Sequence, residues 1–177
     1  ELNATGWFVS PSSHWDESTG LGEPYPTYIY GGNVAEVEVN TETGELRVIR
    51  IYAVYDCGRV INLAAAKGQV YGGVVMSMGF ALKENFIIEN GYPKTLNFDT
   101  YHLVRASEVP EIIVDFIQNP DPTGPYGAKG LGEPANEHAA PAILNALFHA
   151  TGVRITELPA TKEKILSVLK SMSDNNS

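Results

Sequence analysis

The chain has 177 residues, of which 44% are hydrophobic, and its formal net charge is −9. This length and composition predict a globular fold that can bury a core. The negative charge argues against nucleic acid and anionic membranes as partners, because both are bound through basic patches.

The sequence carries no membrane or secretory signature. No apolar run approaches the roughly 20 residues that cross a bilayer, and the N-terminus lacks a basic and apolar signal pattern. The single cysteine, Cys57, excludes an internal disulfide and favours a reducing compartment, so we expect a cytoplasmic protein. Because the sequence begins at Glu1 without an initiating Met, we expect a fragment or a processed chain.

The first predicted element is irregular. Residues 1–27 are rich in Gly, Pro, Ser and Thr and contain both tryptophans, Trp7 and Trp15. This composition is typical of loops that depend on another surface. We therefore expect residues 1–27 to be an extension that packs on a partner or a missing domain, and residues 28–177 to form the domain proper.

Two strands and a long helix are predicted next. Residues 28–39 alternate between apolar and polar positions, and turn-forming residues at 40–45 separate them from a β-rich run at 46–55. This pattern is typical of a hairpin. Residues 63–83 place apolar side chains at four-residue spacing, which indicates a helix.

The predicted helix carries an apolar stripe and many glycines. The stripe positions are Val70, Val74, Met78 and Leu82, and the glycines are Gly68, Gly72, Gly73 and Gly79. Each glycine weakens a helix by roughly 1 kcal/mol relative to alanine. Their number indicates either tight packing of another element or close approach of a ligand, and both interpretations stay open.

The second half of the chain mixes strands and helices. Residues 84–96 predict another hairpin, with Asn90-Gly91 as its turn. The remaining predicted elements are a strand at 112–118, a long Gly/Pro loop at 120–133, a helix at 142–150 that ends before Gly152, and a helix at 161–172 capped by Thr161. The predicted fold class is therefore α+β, with β-hairpins and about three helices.

The candidate chemistry lies in the glycine-rich loop and the residue that ends it. Glycines at positions 124, 127, 130 and 132 can expose backbone N–H groups to an anion, and Lys129 adds a charge suited to phosphate. P-loop spacing is absent, so an irregular surface loop is the simpler interpretation. Glu133 is typical of a helix-capping carboxylate but can also act as a general base. No Cys or His cluster has zinc spacing, and we expect no metal ligand in this chain.

Several segments together resemble a known family. They are Gly-Ala-Lys-Gly-Leu-Gly-Glu-Pro at 127–134, the helix start at 140–146, Thr-Gly-Val-Arg-Ile-Thr-Glu-Leu-Pro at 151–159, Tyr-Asp-Cys-Gly-Arg-Val-Ile-Asn at 55–62 and Gly-Gln-Val-Tyr-Gly-Gly at 68–73. Their order and spacing, over about residues 5–166, are similar to the C-terminal part of the molybdopterin-binding subunit in the xanthine dehydrogenase/aldehyde oxidase family.

This resemblance implies a molybdenum hydroxylase, an oxidoreductase that uses water as its oxygen source. Glu133 falls on the family's catalytic glutamate, the general base, and Gln69 falls on a glutamine that contacts molybdopterin. Lys129 and Gly130 flank the glutamate, and their backbone is expected to line the cofactor site. The implied cofactor is molybdopterin with molybdenum, in its simple or its cytosine dinucleotide form. The implied substrate is an N-heterocycle of the purine or xanthine type, or an aldehyde.

The resemblance covers only part of a molybdenum subunit. The upstream segments that hold the pterin are absent, so we expect no activity without the remainder of that subunit. Iron–sulfur clusters and FAD are expected on partner subunits, because one cysteine cannot hold a cluster. Two alternatives remain: a non-catalytic assembly module of a multi-subunit complex, and a free-standing acidic binding domain.

Overall fold

The structure, a computed structural model, describes residues 2–11 and 14–174. Its strands are β1 (Trp15–Asp16), β2 (Leu21–Gly22), β3 (Tyr30–Val39), β4 (Leu46–Asp56), β5 (Ile88–Glu89), β6 (Tyr92–Pro93) and β7 (Glu111–Ile117). Its helices are α1 (Leu63–Leu82), α2 (Phe98–Tyr101), α3 (Ala139–Thr151) and α4 (Lys162–Asp174), and short 3₁₀ turns cover Ala106–Glu108, Pro125–Gly127 and Glu133–Asn136. This mixture confirms the α+β class.

The main sheet has the strand order β3-β4-β7. β3 and β4 form the predicted hairpin, and the Asn40 side chain stabilises its turn by accepting from the amides of Glu42 at 2.9 Å and Thr43 at 3.1 Å. β7 pairs with β4 in parallel. A parallel neighbour requires a long crossover connection, and the segment that contains α1 supplies it.

One face of this sheet forms the core. Ile51, Ala53 and Tyr55 on β4 are fully buried beneath α1 and α3. Along α1, the predicted apolar stripe is confirmed, because Val70 and Val74 are also fully buried. The remaining members of this cluster are Val48, Met78, Ala81, Val114, Ala135, Ala139 and Ile143.

Local signals set the ends of the helices. The Asn62 side chain accepts from the Ala65 amide at 3.0 Å and begins α1. Gly152 ends α3 in the left-handed conformation, with φ at +75°, and its amide donates to the Phe148 carbonyl at 2.7 Å. Thr161 precedes α4 as predicted and accepts from the Lys164 amide at 3.4 Å.

The N-terminal segment contains little regular structure. Within residues 2–11 and 14–27, the only paired strands are the two-residue β1 and β2. Trp7 is 90% exposed and Trp15 is 46% exposed. The division into an extension at 1–27 and a domain at 28–177 stays a prediction, and residues 175–177 lie outside the described part of the chain. No helix in the described part has the length and apolar content needed to cross a membrane.

Candidate functional site

The glycine-rich loop lies where β4 ends, next to the start of the segment that leads into α1. The Arg59 amide donates to the Gly127 carbonyl at 2.8 Å, and the Lys129 amide donates to the Cys57 carbonyl at 2.9 Å. Gly58, with φ at +68°, approaches the loop so closely that a side chain there would collide with the Gly127 oxygen. The carboxyl ends of parallel strands are where ligands commonly bind in such sheets.

A buried ion pair anchors this loop to β4. Lys129 Nζ lies 2.8 Å from Asp56 Oδ2, and the two side chains are only 5% and 10% exposed, respectively. Asp56 Oδ1 accepts from the Gly58 amide at 2.9 Å. The Lys129 ammonium and amide are thus both engaged within the chain. The charge expected to suit a phosphate serves this ion pair instead, and the Lys129 carbonyl accepts no hydrogen bond from the described residues.

The residues that follow Glu133 in the chain are also held by contacts with the core. The 3₁₀ turn Glu133–Asn136 packs on α1, and Ala135 is fully buried. Tyr55 Oη donates to the Ala135 carbonyl at 3.2 Å. Tyr55 and Asp56, the last two residues of β4, therefore hold the chain on both sides of Glu133.

Three consecutive amides between these anchors remain available. Among the described residues, none accepts a hydrogen bond from the amides of Gly130, Leu131 or Gly132. Unpaired N–H groups can donate hydrogen bonds to an anionic group. This arrangement favours the anion-binding interpretation of the glycine-rich loop.

Gln69 and Glu133 lie at the same open surface. A Cβ atom on Gly132 would be 3.9 Å from Gln69 Oε1, so the Gln69 amide lies next to the residue before Glu133. Both side chains are exposed, and neither has a hydrogen-bond partner within the described part of the chain. The flank of α1 beside Gln69 is bare, because a Cβ atom at Gly68 or Gly72 would meet no atom within 4 Å. The structure thus brings Gln69 to the end of the loop that carries Gly130 and Glu133.

Sequence reasoning did not identify Asp56 or Tyr55 as parts of this site. Both lie in a segment that carries the family resemblance, and that was the only available signal. Cys57 lies in the same segment and is buried, at 4% exposure, and burial raises the pKa of its thiol. A raised pKa disfavours the reactive thiolate.

Two glycines of α1 should respond differently to replacement by alanine. Gly73 faces the turn that begins at Glu133, and Gly72 faces the open flank of the helix. A Cβ atom at Gly73 would lie 2.7 Å from Ala135 Cβ, so Gly73→Ala should displace the turn that begins at Glu133 and destabilise the protein. Gly72→Ala meets open space and should stabilise the helix by about 0.5–1 kcal/mol. Denaturant unfolding of both variants measures this difference, and equal effects would contradict it.

The ionisation of Asp56 should make stability depend on pH. Burial raises the pKa of its carboxyl. Hydrogen bonds from Lys129 and the Gly58 amide, together with the Lys129 charge, lower this pKa by more than burial raises it. The resulting pKa lies below the ordinary 3.8. A lowered native pKa stabilises the fold above the unfolded value, and this contribution disappears as pH falls through the native value. We expect melting temperatures to fall steeply below about pH 4. Asp56→Asn should flatten that decline, and an unchanged profile would contradict the assignment.

The chain is similar to known proteins in both sequence and structure. A family model described as a molybdopterin cofactor-binding domain matches residues 1–110. The aldehyde oxidoreductase of Megalodesulfovibrio gigas is 36% identical over 174 residues, covering 93% of this chain and 18% of that protein. The probable hypoxanthine oxidase XdhD of Escherichia coli strain K12 is 37% identical over 145 residues, covering 81% and 15%.

The structural comparison agrees with the sequence comparison. The solved aldehyde oxidoreductase from Desulfovibrio gigas superposes with a TM-score of 0.80 at 36% identity, over 89% of this chain and 17% of that chain. This chain therefore spans less than a fifth of the length of these relatives.

Proposed function

Because the chain belongs to the molybdopterin cofactor-binding domains of the xanthine dehydrogenase/aldehyde oxidase family, we propose that it supplies the general base of a molybdenum hydroxylase. The observation that carries this proposal is the placement of Glu133. It lies at an open surface shared with Gln69 and with the amides of residues 130–132, from which no described residue accepts a hydrogen bond, at the end of β4. Proton transfer by a positioned carboxylate typically contributes about 10²- to 10⁴-fold to a rate.

The residues at this surface fit a molybdopterin cofactor. The amides of Gly130, Leu131 and Gly132, which have no acceptor among the described residues, can donate to anionic groups. The Gln69 amide offers both donors and an acceptor, as a pterin ring edge requires. The bare flank at Gly68 and Gly72 lets a planar group approach the helix backbone. Molybdenum would supply the redox chemistry, which side chains cannot provide.

Glu133 would act on a proton. We infer that its carboxylate oxygen accepts the proton of the water that provides the transferred oxygen atom. Asp56 and Tyr55, through their contacts on either side, would hold Glu133 in place. Glu133 is exposed in this chain, so the walls that exclude water from it would come from the remainder of the molybdenum subunit.

The proposed substrate is an N-heterocycle of the purine type or an aldehyde. The names of two similar proteins, an aldehyde oxidoreductase and a probable hypoxanthine oxidase, support this range. The proposed partners are the remainder of the molybdenum subunit, an iron–sulfur subunit and an FAD subunit, because hydroxylation releases electrons and one cysteine cannot hold an iron–sulfur cluster. The cofactor is proposed in its simple or its cytosine dinucleotide form.

The proposal is tested by gentle purification of the native protein that contains this chain. We expect molybdenum in stoichiometric amount, together with larger polypeptides that carry flavin and iron–sulfur clusters, measured by metal analysis and mass spectrometry. A metal-free monomer of this chain from its own host would contradict the proposal. Substrate screening with purines and aldehydes follows from the expected result.

A further inference from the structure

The main sheet has a second face, opposite the core. The strand register aligns Val34, Tyr52 and Ile113 in one row across β3, β4 and β7. These side chains are 66%, 40% and 41% exposed, and Val54 and Ile117 on the same face are 38% and 61% exposed. We call these five residues the outer face; on β7, Asp115 lies between Ile113 and Ile117 on the same side of the strand.

Charged residues border the outer face. At one end, Arg50 Nε lies 2.6 Å from Glu111 and Arg50 Nη1 lies 3.3 Å from Glu36. Asp115, which pairs in register with Val54, is exposed and adds a further carboxylate. An apolar centre with polar residues around it is the usual anatomy of a protein interface. Here Arg50 pairs with Glu36 and Glu111, and Asp115 forms no ion pair with a described residue.

The strand arrangement also favours a cover at this side of the sheet. Sheets whose strands are all parallel are covered on both faces, and β7 adds a parallel pair to a sheet that otherwise consists of the antiparallel β3–β4 hairpin. In the described part of the chain, α1 and α3 both contact the sheet from the core side. β7 is also an edge strand with no partner on its far side among the described strands. Free edges are normally paired or covered.

The cover is best supplied by the longer polypeptide to which such domains belong. The aldehyde oxidoreductase of M. gigas is matched over only 18% of its length, so most of that chain lies outside the matched region. We propose that the remainder of the molybdenum-binding subunit docks on the outer face through an apolar element with basic residues opposite Asp115, Glu36 and Glu111. This inference rests on the proposed function and deepens it by naming the docking surface.

The test introduces Ile113→Cys into the purified, molybdenum-loaded native protein. Cys57 is 4% exposed and gives little background. We expect maleimide to modify residue 113 at least tenfold more slowly in the native protein than after unfolding in urea, measured by peptide mass spectrometry. If Ile113→Cys fails to accumulate, Ile117→Cys, at 61% exposure on the same face, takes its place.

Rapid native labelling with molybdenum retained would overturn the docking proposal and leave the proposed function intact. Protection that disappears in Ile113→Lys while the native mass halves and molybdenum is retained would show that a second copy covers this face, which also overturns it. Absence of molybdenum and of any larger polypeptide from the unaltered protein, observed before labelling, would instead contradict the proposed function.

Discussion

Replacement of Glu133 by glutamine is expected to lower the turnover number of the assembled enzyme by about 10²- to 10⁴-fold, the usual contribution of a general base. Glutamine keeps the size of the side chain but cannot accept a proton. Because the proton moves only in the transition state, kcat should fall while KM changes little. Steady-state kinetics on a substrate found by screening, with molybdenum quantified in the same samples, measures this effect.

Glu137→Gln is the matched control for this experiment. Glu137 is also exposed and follows the same 3₁₀ turn by one residue. We expect it to leave turnover within a few-fold of the unaltered enzyme. If Glu133→Gln loses molybdenum, the residue supports the cofactor site rather than the chemistry. If turnover and molybdenum are both unchanged, the chain is better described as an assembly module.

Replacement of Lys129 by methionine should destabilise the protein by about 3 kcal/mol or more, the usual effect of leaving a buried charge unpaired. The Asp56 side chain is 10% exposed and would remain in place without its partner. Acid titration of Asp56 would then move toward higher pH, since its main stabilising partner is gone. Denaturant unfolding of the purified protein measures the change in free energy.

Two further variants decide whether the buried pair is responsible. Lys129→Met combined with Asp56→Asn should recover part of the loss, because neither buried charge then remains unpaired. Lys164→Met removes a more exposed pair with Glu157 at 3.4 Å and should cost less than about 1 kcal/mol. Equal effects of Lys129→Met and Lys164→Met would contradict the role of burial.

Turnover adds a second measurement for the same variant. Lys129 lies four residues before Glu133, in the loop that β4 anchors. A displaced carboxylate loses catalytic efficiency even when it remains ionised. We expect Lys129→Met to lower kcat under conditions in which the protein is still folded. Full turnover in the folded variant would show that the ion pair contributes to stability alone.

Much of the local structure follows from the sequence. Alternation of apolar residues predicted the β3–β4 hairpin, and the Asn90-Gly91 turn between β5 and β6 is observed with positive φ at both residues. The caps at Gly152 and Thr161 were also predictable. These features depend on residues close together in the chain, so their physical causes are visible in a single sequence.

The candidate site also combines features that are visible in the local sequence with features that only the fold brings together. The glycine spacing and the position of Glu133 before helix-forming residues are local, and they identified the loop. The family resemblance pointed to Gln69 and Glu133, which are 64 positions apart, and the fold brings Gln69 next to Gly132. Of the two interpretations of the α1 glycines, tight packing is observed at Gly73, which lies against Ala135. Gly68 and Gly72 leave the flank open, and the close approach of a ligand there stays a prediction.

By itself, the sequence determined the α+β class, the hairpins, the helix caps at Gly152 and Thr161 and the loop that carries Glu133, because hydrophobic period, turn chemistry and capping act over a few residues. It did not determine the start of α3, which lies at Ala139 and not at residue 142. Only the tertiary structure decided that Lys129 pairs with Asp56, 73 residues away, and that Tyr55 reaches Ala135, 80 residues away. It also placed β7 parallel to β4. Such contacts depend on how the elements pack, which a single sequence does not show. Lysine is usually exposed, but packing buries Lys129, so its charge pairs with Asp56 and does not face a ligand.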